Sequence, residues 1–349
     1  MSLSSLNKNI YSDLKVLKFA SFIDNLYIGN NSPLHIRIKL TNRCNHRCSY
    51  CAFRNANQSL GLNINQTDEI PYEKLVEIID DISGMGVKAV TLSGAGEPTI
   101  YPNLDKILKK LSKTKIKFAM LTNGSFFSGE VAELFAKYGS WVRVSIDGWD
   151  RESYKNFRGV DDFDRVINNI KLFRSDKCLL GVNIVVNKDN AKHLYDLYKV
   201  IIKANLSTIK ISPCVVSDSA YENTEYHDSL SNIVDNEIAK ISAESKVHIS
   251  NTYHSQLEGF IKGYSWCPNI QIRPVIGADC NIYSCHDKAY EKAGLIGSFK
   301  DCSFKKAWES ANKFKINPSN DCKHHCIAHS RNSLVLSYLD IYQDHLEFV

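Results

Sequence analysis

The sequence has no long block of Lys or Arg. Its 43 basic and 38 acidic residues are scattered, for a net charge of +5, so a nucleic-acid-binding arm is not expected. No apolar run reaches the length that crosses a bilayer, and the N-terminus lacks the charged, then apolar, then small pattern of a signal peptide. The expectation is a cytoplasmic protein with no membrane and no nucleic-acid partner. There is no repeat at a solenoid period and no low-complexity tract, which excludes a repeat array and a disordered spacer. The stretch DLKVLKFASFIDNLYIG (13–29) is amphipathic but interrupted by Asp13 and Asp24. It reads as a packing helix rather than a membrane-surface helix.

Apolar residues make up 44% of the 349, enough for a large core in one large domain or two moderate ones. Short β-rich runs recur at 35–42, 89–96, 117–124, 141–148, 181–187 and 208–215, most of them closing on a Gly, Asn or Pro cluster. Between them lie stripes of helical period: Leu75, Ile78, Ile79 and Ile82; Phe163, Val166, Ile167 and Ile170; Leu194, Leu197, Tyr198 and Ile201. Pro71 suits a helix start and Gly84 a stop, and Asp162 and Asn190 suit N-caps. Six β-then-α units predict an α/β fold with a parallel sheet, an open or partial (β/α)6 barrel. Working residues are then expected at the C-terminal ends of the strands. The polar stretch 216–229 reads as a lid or a connection, with Tyr226, His227 and Asp228 as candidates by location alone.

The eleven cysteines are clustered. In a reducing compartment they suit metal ligands or catalytic thiols better than disulfides. Cys44, Cys48 and Cys51 fall in LTNRCNHRCSYCAF, directly after the first strand. Soft thiolates suit zinc or iron–sulfur centres. A zinc site needs four ligands, which His46 or a distant cysteine would complete. Three thiolates on one loop can instead hold three irons of a cubane and leave the fourth open. Cys267, Cys285, Cys322 and Cys326 suffice for a complete cubane, with four-cysteine zinc as the rival.

C-x-x-x-C-x-x-C, with Tyr50 before the last cysteine, resembles the radical S-adenosylmethionine (radical SAM) superfamily. SGAGEPT at the end of the second strand resembles that family's Gly-Gly-Glu motif, with Ala95 in the slot of the first glycine. LTNG and VSIDG end the third and fourth strands as in the same family. The resemblance spans about 35–215. It implies a [4Fe–4S] cluster on Cys44, Cys48 and Cys51, and S-adenosylmethionine held through Tyr50, Ala95, Gly96, Glu97, Asn123, Ser145 and Asn187. It also implies reductive cleavage of SAM to a 5′-deoxyadenosyl radical, and an external one-electron reductant such as flavodoxin or ferredoxin. The C-terminal cysteines resemble the SPASM/twitch extension, implying an auxiliary [4Fe–4S] cluster on Cys267, Cys285, Cys322 and Cys326. In that extension a hairpin separates the first two cysteines, and a helix (300–310, with Trp308) precedes the final pair. Cys280 takes the place of a hairpin glycine and reads as a spare, and His324 and His325 as bystanders.

The organisation expected is an N-terminal extension (1–34), the radical SAM partial barrel (35–230), a linking helical segment (231–264), a small Cys-rich cluster-binding domain (265–330) and a tail (331–349). Only 43 residues precede Cys44, fewer than a peptide-recognition domain needs. A small polar substrate of sugar, aminocyclitol or nucleoside type is therefore expected, with dehydrogenation as the outcome and the auxiliary cluster as electron acceptor. Epimerisation with Cys214 as hydrogen-atom donor, decarboxylation, dehydration, and peptide modification are the alternatives.

Overall fold

The computed structural model describes residues 11–29, 31–54, 61–255, 257, 260–322 and 325–341. Seven strands run parallel in chain order: β1 (His35–Lys39), β2 (Ala89–Ser93), β3 (Lys117–Thr122), β4 (Trp141–Ser145), β5 (Leu179–Val186), β6 (Thr208–Pro213) and β7 (His248–Asn251). The first six carry the runs expected from sequence. β7 lies within the stretch 231–264 that the sequence marks as a linking helical segment. HISN is short and polar, and nothing in it signals a strand except its neighbour β6.

Helices join consecutive strands on one side of the sheet. In Tyr72–Gly84, residues Leu75, Ile78, Ile79 and Ile82 are fully buried against Ile36, Ile38, Val90 and Leu92. Each such side chain contributes about 1.5–3 kcal/mol relative to exposure. The stripes of Phe163–Leu172 and Leu194–Ile201 are buried in the same way. Because side chains alternate across a strand, Arg37, Lys39, Thr91, Ser93, Arg143, Ser145, Asn183, Lys210 and Ser212 fall on the opposite face. That face is concave: Arg37 on β1 acts electrostatically on Lys210 on β6, across the width of the sheet. The fold is the partial (β/α)6 barrel expected.

The Cys-rich part does not form a separate sheet. β8 (Val275–Ile276) pairs parallel with β1, and β9 (Asn281–Tyr283) and β10 (Leu295–Ser298) extend the sheet beyond it antiparallel. The helix Phe304–Glu309 follows, with Trp308 buried and its indole N–H donating to Asn31 O at 2.8 Å. The segment 13–29 packs as expected but in three short pieces, Asp13–Phe19, Ala20–Asp24 and Leu26–Ile28, ending at Gly29 with φ 73°. Val16, Ile23 and Leu26 meet Ile272 and Val335, and Asp13 accepts from Arg331 at 2.8 Å. The stretch read as a lid or connection holds the helix Ala220–Asp228, capped by Ser219, whose hydroxyl accepts from Glu222 N.

Candidate active site

Cys44, Cys48 and Cys51 are half-buried free thiols on the loop leaving β1. The backbone there is tied to the helix Arg151–Arg158: Arg47 N donates to Arg158 O at 2.9 Å and Ser49 N to Phe157 O at 3.0 Å. Burial pushes Cys44 up to about 11, against the opposing bond from His46 N, and also raises Cys51. Donors aim at two of the sulfurs, His46 N–H at Cys44 Sγ (3.4 Å) and Arg158 Nη1 at Cys48 Sγ (3.7 Å). Such thiols ionise on binding a metal, and the donors then meet thiolates.

A buried brace holds this loop to the end of β4. Tyr50 donates its hydroxyl to Asp147 Oδ2. Arg158 pairs with the same carboxylate at 2.5 Å, the two side chains being 5% and 0% exposed, and Val185 N donates to Asp147 Oδ1 at 2.7 Å. The Tyr50 hydroxyl is thereby committed to the protein, which leaves its ring as the part able to face an adenine. A second brace joins His46 Nε2 to Ser125 Oγ (2.8 Å) and Ser125 to Asp162 Oδ2 (2.7 Å). Burial, together with Arg158, lowers His46 to about 4. His46 is thus a neutral structural side chain at pH 7.

The SGAGEPT turn lies directly on the cysteine loop. Glu97 N donates to Arg43 O at 2.8 Å, and a Cβ on Gly96 would stand 1.9 Å from that oxygen. Only glycine allows this approach. Ala95 is not among the positive-φ residues, and its methyl packs with Val275, Tyr283, Ala289 and Tyr290. The departure from glycine thus serves the contact with the C-terminal hairpin. Glu97 is 3% exposed. Its Oε1 accepts from Thr99 N (3.0 Å), Thr99 Oγ1 (2.7 Å) and Thr122 Oγ1 (2.6 Å), and its Oε2 from Asn123 N (2.7 Å). Burial raises its pKa and these bonds oppose the rise. Oε2 keeps acceptor capacity for an ammonium. Asn123 also donates to Asn45 Oδ1 at 2.8 Å, so it fastens β3 to the cysteine loop. Ser145 lies at the end of β4 on the concave face. Asn187 forms a turn, its Oδ1 accepting from Asp189 N and Asn190 N.

The other four cysteines converge. Cys267, Cys285, Cys322 and Cys326 line one cavity, together with Asn269, Arg273, His286 and Asp287. Burial and mutual repulsion raise Cys267 to about 12 and Cys326 to about 11, and push Cys285 well up. Cys280 does not line that cavity. It occupies the hairpin turn with φ 59°, donating from its N to Gly277 O at 3.1 Å. His325 is lowered to about 4 by burial and by Lys262, and His324 lies outside the described residues.

Cys214 follows β6, 5% exposed, with its thiol raised to about 12 by burial. His227 is fully buried, Nε2 2.6 Å from Cys214 O and Nδ1 2.7 Å from Tyr253 Oη. Tyr226 accepts from Lys188 N at 2.8 Å, and Asp228 points to solvent. The location-based candidates in 226–228 thus close the helix Ala220–Asp228, with Tyr226 and His227 engaged by Lys188 N, Cys214 O and Tyr253. Sequence reasoning missed Arg158, Asp147 and Ser125, and read Asp162 only as an N-cap; their links, Tyr50 to Asp147, Ser125 to Asp162 and Arg158 to Cys48, span 97, 37 and 110 residues. The VSIDG motif, which contains Asp147, was the one signal available.

Among the described residues no three Cys, His, Asp or Glu side chains converge on a single ion. A cubane binds each cysteine through a separate iron, so the loop trio and the cavity quartet both suit such clusters in the chemistry of their donors.

Residues 38–201 match the family model described as the radical SAM superfamily. This part of the chain is a radical SAM domain, and the cofactors of that class are a [4Fe–4S] cluster and S-adenosylmethionine. A probable GTP 3′,8-cyclase of Thermococcus kodakarensis is 28% identical over 273 residues, covering 77% of this chain and 84% of that protein. The antilisterial bacteriocin subtilosin biosynthesis protein AlbA of Bacillus subtilis is 29% identical over 168 residues, 47% of this chain and 36% of AlbA. Among solved structures, Streptococcus suis SuiB bound to its precursor peptide SuiA aligns with a TM-score of 0.63 at 19% identity, covering 88% of this chain and 74% of SuiB. No helix among the described residues is long and apolar enough to cross a membrane.

Proposed function

We propose that the chain is a radical SAM enzyme that abstracts a hydrogen atom from a small polar molecule of nucleotide or sugar type, bound on the concave face between the cysteine loop and the four-cysteine cavity. One arrangement carries this reading: three thiols on the loop after β1, with the Gly96 turn pressed against that loop. When bound, the cluster and SAM supply an electron and a sulfonium whose cleavage releases a radical that attacks unactivated C–H bonds. The chain's own residues orient this chemistry. Arg158 and His46 N–H stabilise the cysteine sulfurs. Glu97 Oε2 is the acceptor available to an ammonium, and the Asp147 brace keeps the loop in register with β4. Cys267, Cys285, Cys322 and Cys326 would hold the auxiliary cluster. Cys214, a neutral thiol next to the mouth, would donate hydrogen in an epimerisation. An external reductant of flavodoxin or ferredoxin type would feed the site.

Support for a nucleotide-type substrate comes from the Thermococcus relative, matched along most of its length and named for a nucleotide. The names of the relatives speak for cyclisation and for peptide chemistry rather than for sugar dehydrogenation. Peptide modification is the second reading, favoured by the match to AlbA. Anaerobically reconstituted protein given dithionite and SAM should release 5′-deoxyadenosine, and Cys44→Ala should abolish that release. A nucleotide or nucleotide-sugar panel should raise the rate above the substrate-free level. If only a peptide does so, the second reading holds, and no 5′-deoxyadenosine at all defeats both.

A further inference from the structure

The concave face of the sheet buries cations that the chemistry above does not use. Lys39 on β1 is 0% exposed. Its ammonium lies 3.8 Å from the centre of the Phe53 ring and 5.1 Å from that of Tyr290, yet Nζ has no hydrogen-bond acceptor among the described residues. Arg37, two residues earlier on the same face, has a buried Nε without an acceptor. Ser93 Oγ, directly across from Lys39 on β2, and His286 Nδ1 are likewise unmatched. Lys210 on β6 and Arg273, just before β8, complete the group. Among the described residues none of Arg37, Lys39, Lys210 and Arg273 forms an ion pair.

Asp287 is the carboxylate that acts on Arg37, Lys39 and Arg273. Asp13, which also acts on Arg273, is paired with Arg331. Arg143, on the same face of β4, adds further positive charge and is stacked over Tyr11 at 4.9 Å and Trp141 at 5.2 Å. A buried ammonium with three unmet donors is costly unless an anion joins it. Asp287 leaves Lys39 Nζ and Arg37 Nε without an acceptor, whereas a phosphoryl or diphosphoryl group brings two or more negative charges and acceptors in the forked geometry that suits arginine. Cys51 and Cys285 both act on Lys39, so an anion held there lies within electrostatic reach of both cysteine sites.

We infer that Arg37, Lys39, Lys210 and Arg273 form a phosphate-binding subsite on the concave face, and that the substrate is a phosphate ester or diphosphate. This inference rests on the radical SAM reading above and specifies its substrate class. The rival use of these cations, balancing cluster charge, requires no anion beyond the clusters.

The test is equilibrium binding of inorganic pyrophosphate to the anaerobic, cluster-loaded full chain, with acetate as competitor. Saturable binding that weakens with salt is expected. Lys39→Met and Lys210→Met should each lower affinity about tenfold or more, while Lys137→Met, at an exposed cation of the helix Gly129–Tyr138, should not change it. Iron content reports whether each variant is loaded. In ligand-free protein Lys39→Met should not lower the urea midpoint, because burying an ammonium without a hydrogen-bond acceptor costs more than its contact with the Phe53 ring returns. A loss of stability would show Lys39 to be structural and overturn its role. Absence of pyrophosphate binding, or equal competition by acetate, would overturn the subsite. If 5′-deoxyadenosine is still formed in that case, the radical SAM reading stands and only this inference falls.

Discussion

Replacing Arg158 with Met removes one half of a buried pair whose other half has nowhere to go. Asp147 is 0% exposed and Arg158 5% exposed, at 2.5 Å. Deleting one partner of such a pair costs about 3–5 kcal/mol, because a buried charge is left uncompensated. Tyr50 and Val185 N would still donate to Asp147, which favours the lower end of that range. The loss should reach the metal as well, since the Arg158 guanidinium donates to Cys48 Sγ. The expected result for Arg158→Met is a fall of about 3 kcal/mol in urea unfolding, together with reduced iron at the first cluster. The double variant Asp147→Asn with Arg158→Met should recover part of the stability, because the orphaned carboxylate is gone, but not the loop register. A single-variant cost below about 1 kcal/mol, or a double variant as costly as the two singles added, would refute the brace.

Gly96→Ala should abolish SAM binding and destabilise the chain, since the methyl would meet the Arg43 carbonyl at 1.9 Å; a variant that binds SAM normally in equilibrium dialysis would contradict the fit. Cys280→Gly should raise stability by about 1 kcal/mol, because the residue sits at φ 59° where a side chain is strained, and should leave total iron unchanged. His46 titrates near 4 in the folded chain and at its ordinary 6.5 when unfolded. The unfolded state therefore takes up the proton first, and this contribution to stability is lost as pH falls from about 6.5 to about 4; His46→Gln should flatten that slope in urea titrations at stepped pH. Lys210 titrates near 8 through burial and the neighbouring Arg143, Arg37 and Arg273. Pyrophosphate affinity should accordingly be full below pH 8 and fall above it, and Lys210→Met should remove that dependence.

The cysteine loop, the six strands and the four C-terminal cysteines were legible because their signals are local: a fixed spacing, a run of β-branched residues, a turn. The partial barrel followed from the alternation of elements. Arg37 and Lys39 were equally visible in HIRIK, but period-2 alternation says only that one face is polar. Whether that face meets solvent or lines a closed-in concavity depends on how six distant strands curve. The brace joins Tyr50 to Asp147, 97 residues on, and Arg158 reaches back 110 residues to Cys48. For Ala95 the sequence showed a departure from the motif, and the hairpin packed against its methyl showed the cause. His227 was singled out by location, yet its ring is used in holding Cys214 O and Tyr253.

The central claim is that Cys44, Cys48 and Cys51 carry a cluster separate from the one held by Cys267, Cys285, Cys322 and Cys326. Iron analysis of anaerobically reconstituted protein tests it most directly. About eight irons per chain are expected in the native sequence and about four once Cys44, Cys48 and Cys51 are all replaced by Ala, with 5′-deoxyadenosine formation lost. Zinc in place of iron at the first site, or an iron count unchanged by that triple substitution, would contradict the account.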